Sequence, residues 1–128
     1  MNKLKYLCLF LLAALLIGGC FLQNSFILNF TDNLSAVLAD FSREIDLREF
    51  ENAQQTLNRF SARWNSKHDL LYLLTDHTYI SSIDAELAAL QADLLKQNTA
   101  QLYSETARLA EALRSLARPE EISLSNIF

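Results

Sequence analysis

Between Cys20 and Arg118 the chain contains neither a glycine nor a proline. Its only glycines are Gly18 and Gly19, and its only proline is Pro119. Sheets and loop-rich folds reverse the chain often and need such residues spread along it. Helices do not, and helical spacing of apolar residues fills the whole interval. Phe30, Leu34, Val37, Phe41 and Ile45 form a first stripe, and Phe50, Ala53, Leu57, Phe60 and Trp64 a second. Ile80, Ile83, Leu87, Leu90 and Leu94 form a third, and Leu102, Leu109, Leu113 and Leu116 a fourth. Each lasts about two heptads before its register breaks, which favours a compact bundle over one long coiled coil.

Helix ends are sketched by residues that accept hydrogen bonds from free backbone N–H groups. Asp46 is expected to cap the second helix, and Asn98 or Thr99 the fourth. The stretch Asn65–Tyr79 reads two ways. Leu70, Leu73, His77 and Ile80 continue a helical stripe, whereas "TDHT" at 75–78 reads as a break with Asp76 as the cap. "FENAQQTLNRF" and "YSETARLAEAL" also echo each other, as two loosely repeated helical hairpins would.

From Tyr6 to Thr31 there is no charged side chain. Only Lys3 and Lys5 precede this run, while all 15 acidic residues and the other basic residues follow it. Lysines before the run, and no basic residue after it until Arg43, place the N-terminus in the cytoplasm and the body outside. The acidic body lacks the basic footprint of a nucleic-acid binder. Both cysteines, Cys8 and Cys20, lie in the apolar segment, so the body must stand on packing without disulfides.

The apolar segment itself supports two readings. Ile17-Gly18-Gly19-Cys20 resembles a lipobox, with Cys20 as the acylated first residue of a mature lipoprotein. Alternatively Tyr6–Leu22 is a retained anchor, roughly 25 Å of helix at 1.5 Å per residue. Phe21, Leu22, Phe26, Ile27, Leu28 and Phe30 follow where a lipoprotein would carry a polar tether, so the anchor is preferred. The predicted fold is therefore all-α. A membrane anchor or signal segment over residues 1–25 precedes a small antiparallel helical bundle over residues 26–128.

The ordered set of an apolar anchor, "FENAQQTLNRFSARW", "DHTYISSIDAELAAL" and "ISLSNIF" resembles the bacterial family known as domain of unknown function 4363. The resemblance spans nearly the whole chain. It implies a small membrane-anchored helical protein, associated with another membrane protein, and transfers no catalytic residue. The chain departs from the pattern at Cys20, where members more often look like plain anchors.

Few side chains suggest chemistry. On a helix starting at Asp76, His77, Ser81 and Asp84 share one face, which raises a hydrolytic or metal-dependent site. The first and last are roughly 10.5 Å apart along the axis, too far to share one metal ion. The competing expectation is a histidine held at a helix junction. Trp64, with His68 and Tyr72 one and two turns on, suggests either a ligand-stacking cluster or a core plug. Beyond Pro119, Leu124, Ile127 and Phe128 fall on one helical face, to fill a groove of the bundle or to be captured by a partner. No metal or cofactor motif is present. The expected protein is a non-enzymatic interaction or accessory module, membrane-tethered and extracytoplasmic, for another membrane or envelope protein. A ligand-binding lipoprotein acylated at Cys20 is the alternative.

Overall fold

The computed structural model describes residues 2–117, so the tail with Ile127 and Phe128 lies outside the described residues. Four helices follow in order: α1 (Asn2–Asp46), α2 (Phe50–Leu74), α3 (His77–Lys96) and α4 (Thr99–Ala117). Each packs against its chain neighbour and α4 closes back onto α1, giving a ring of four antiparallel helices. Packing is most extensive within the hairpins α1–α2 and α3–α4 and least between α2 and α3.

The apolar stripes become the core. Leu34, Phe41, Leu57, Phe60, Trp64, Ile80, Ile83, Leu90, Leu102, Leu109 and Leu113 are all buried. In α1 the first buried residue is Ile27, and everything before it except Gln23 and Phe26 is exposed. The helix nevertheless runs unbroken through that boundary. By length and composition α1 is able to cross a membrane. Gln23, just past the apolar run, donates from Nε2 to the Leu74 carbonyl at 3.0 Å and ties the end of α2 to it.

The stretch 65–79 resolves into a helix end and a break. Thr75 leaves α2 in an extended conformation, and Asp76 accepts a hydrogen bond from the Thr78 N–H at 2.9 Å to start α3. Leu71, not Leu70 or Leu73, is the residue that α2 buries there. At the start of α4, Asn98 Oδ1 accepts from the Gln101 N–H at 3.3 Å, so Asn98 is the cap.

Asp46 does not cap α2. It is the last residue of α1, and its carboxylate accepts a hydrogen bond from the Tyr103 hydroxyl on α4. The α2 N-terminus begins instead after Glu49, whose side chain makes no capping bond. The reason lies in the turn. Glu49 N–H bonds to the Glu44 carbonyl and Arg48 N–H to the Ile45 carbonyl, the paired bonds of a Schellman end. That closure needs a left-handed residue, and Arg48 takes it at φ 58. Gln97 does the same after α3, at φ 54.

A side chain with a Cβ is strained in this conformation by roughly 1–2 kcal/mol, whereas glycine is not. Arg48→Gly is therefore expected to stabilise the bundle by about 1 kcal/mol, the relieved strain exceeding the added unfolded-state entropy. Thermal unfolding should show the midpoint rising by about 4–8 °C.

Candidate functional site

The polar cluster of interest lies across the α2–α3 contact. Trp64 is fully buried, and its indole Nε1 donates to Asp84 Oδ1 at 2.7 Å. The other carboxylate oxygen, Oδ2, lies 2.8 Å from His68 Nε2. One α3 carboxylate thus accepts from two α2 side chains that stand a helical turn apart. Asp69 flanks the outer edge of the imidazole, 3.8 Å from Nδ1.

Aromatic rings extend the cluster in both directions. Phe26 stacks near Phe30, Phe30 near Trp64, and the Trp64 ring meets His68 edge-on at a centroid distance of 5.8 Å. His68 then stacks near Tyr72, and Tyr72 lies 3.8 Å from His77 with the rings almost parallel. Six rings from three helices run through the half of the bundle where the apolar part of α1 enters.

His77, Ser81 and Asp84 do not form one constellation. His77 is turned to Tyr72, Ser81 is exposed, and Asp84 is engaged by Trp64 and His68. Among the described residues, no three His, Cys, Asp or Glu side chains are placed to hold a metal ion. Cys20 is exposed within the unbroken α1. Trp64 is a core residue that also carries a polar function.

The His68 pairing was missed because spacing along one helix reveals only neighbours on that helix. Counting from the break does reveal it. His68 lies seven residues before Thr75 and Asp84 eight after Asp76, so an antiparallel hairpin brings them level.

The hydrogen bond that His68 donates to Asp84 raises the His68 pKa above its ordinary 6.5, outweighing the desolvation that lowers it. The folded chain therefore holds this proton more tightly than the unfolded one. The resulting stabilisation is complete below about pH 6.5 and is lost as pH rises through the higher folded value. Asp84→Asn keeps an acceptor for Trp64 but removes the charge. An NMR titration of the His68 ring is expected to show its midpoint falling in that variant.

A second buried acid was also missed. Glu105 sits between Leu102 and Leu109 on the inward face of α4, where the apolar stripe skips a position. Its Oε2 has no hydrogen-bond partner, and Gln101 is 3.5 Å from Oε1. Burial is the main cause raising the Glu105 pKa, and the neighbouring Asp93 on α3 adds to it.

A shallow groove between α1 and α4, lined by Ser35, Leu38, Ala39, Tyr103, Thr106 and Ala107, lies across the ring from His68.

A ring of four helices with one helix prolonged as an exposed apolar rod, long and apolar enough to cross a membrane, defines an all-α bundle protein. The chain belongs to the family described as domain of unknown function (DUF4363), whose profile matches residues 21–127. Neither the curated proteins nor the solved structures contain a match to it.

Proposed function

We propose that this chain is a non-enzymatic interaction or accessory module, held at the membrane by residues 6–22 with its bundle on the extracytoplasmic side. The observation that carries the reading is α1. The same helix, long and apolar enough to cross a membrane, supplies both an exposed apolar segment and one wall of the bundle, without a linker between them. Lys3 and Lys5 before the segment favour a cytoplasmic N-terminus. Asp84 joins α2 to α3 and His77 packs on Tyr72, contacts that support structural work for both groups. The partner is another membrane or envelope protein that meets the bundle or the anchor.

A crosslinked pull-down of the tagged chain from native membranes, read by mass spectrometry, tests this. A stoichiometric membrane partner together with an intact Met1–Lys5 peptide supports the module. Absence of a partner, with an N-terminus at acylated Cys20, overturns it in favour of a ligand-binding lipoprotein.

A further inference from the structure

Two exposed leucines mark opposite ends of the bundle. Leu73 is 83% exposed in the last turn of α2, and Leu95 is 81% exposed in the last turn of α3. Their surroundings differ in one respect. Leu73 belongs to the end where the apolar part of α1 enters, because Gln23 binds the Leu74 carbonyl directly. Leu95 belongs to the far end, beside the turn at Gln97.

That hydrogen bond sets a height. The apolar run Tyr6–Leu22 covers roughly 25 Å as a helix, about 5 Å less than the hydrocarbon thickness of roughly 30 Å. Local thinning of the bilayer and snorkelling of Lys3 and Lys5 can each take up part of this difference, and the next residues along α1 available to take up the rest are those level with the end of α2. Closing it draws Gln23, Leu74 and their neighbours to the boundary between acyl chains and headgroups.

The side chains at that level suit the boundary. Tyr72 and His77 present a stacked, partly polar aromatic pair, and Leu73 stands out beside them. Tyrosine is favoured where one end of a side chain is apolar and the other wet. Tyr6, 70% exposed at the other end of the run, is placed to match it at the opposite interface. The nearest acids limit the depth. Asp76, in the turn itself, is exposed and its hydrogen bond from the Thr78 N–H lowers its pKa, so this ionised carboxylate stays at headgroup level, and Asp69 lies one turn of α2 further from the bilayer than Leu73.

We propose that the α2–α3 turn, through Tyr72, Leu73 and His77, is seated in the interfacial layer of the same bilayer that α1 crosses. The bundle is then fixed to the membrane at two points, the span and this turn. The proposal rests on the reading of residues 6–22 as a retained span.

The test uses the full chain in vesicles of phosphatidylcholine and phosphatidylglycerol, with Cys8 and Cys20 replaced by serine. Nitroxide labels are placed singly through Leu73→Cys, Leu95→Cys and Leu12→Cys, and collisions with oxygen and with a water-soluble nickel chelate are measured. Oxygen collisions exceeding chelate collisions at 73, with the reverse at 95, are expected. A label at 73 as aqueous as that at 95 overturns the proposal while a lipid-buried label at 12 leaves the span intact. An aqueous label at 12 overturns the span and the seat together. Shielding of 73 from both reagents overturns the seat in favour of a protein cover, such as a second copy. Circular dichroism of each labelled chain confirms that the helices are retained.

Discussion

Trp64→Ala destabilises the bundle by about 3–5 kcal/mol, the usual loss for a buried indole. Two losses combine. The cavity opens where Phe30 and His68 lean on the ring, and Asp84 loses the donor on Oδ1. Trp64→Phe separates them, because it restores much of the ring but not the N–H. It is expected to fall between the wild type and the alanine variant, with the remaining deficit assignable to the partly buried carboxylate. Chemical denaturation of the three proteins, compared at constant m-value, measures the ordering. The damage should concentrate on α2 and α3, the pair with the least packing to spare. Hydrogen exchange at the α2–α3 contact reads that directly.

Replacing Glu105 has the opposite sign. An orphan buried acceptor costs about 1–3 kcal/mol, so Glu105→Met is expected to stabilise the bundle by about that amount at neutral pH. Methionine fills similar space without the carboxylate. The pH dependence follows from the raised pKa. The folded state favours the protonated acid, so the associated stability is full below the unfolded value. It is lost as pH rises through the higher folded value. Wild-type stability should thus fall as pH rises over that interval, and Glu105→Met should flatten the decline. Thermal midpoints measured across mildly acidic to neutral pH check both points. If Glu105→Met destabilises the bundle, the side chain is satisfied in some other way and this account fails.

The bundle was largely legible because its packing repeats a simple rule. Leu34, Val37, Phe41 and Ile45 mark the inward face of α1, and the inward faces of the other helices follow similarly. Two kinds of information were not legible. Arg48 and Gln97 adopt a conformation that a sequence normally announces with glycine, so the two turns they close left little sign. The partner of Asp84 depends on how far α2 and α3 slide past each other, which no single-helix pattern carries. His77 drew attention by sharing a helix face with Asp84, but His68 reaches it from the neighbouring helix. Glu105 was hidden differently, as a gap in an otherwise apolar stripe.

The unbroken course of α1 has a mechanical consequence. No glycine or proline lies between Cys20 and Asp46, and the buried face of that segment is gripped by α2 and α4. The joint between rod and bundle therefore has no hinge and acts as a drive shaft. Rotation or tilt applied to the apolar segment near Leu22 is delivered to all four helices in phase. Inserting one residue at this joint would turn the bundle by about 100° relative to the rod, moving the α2–α3 turn to a different side of its axis.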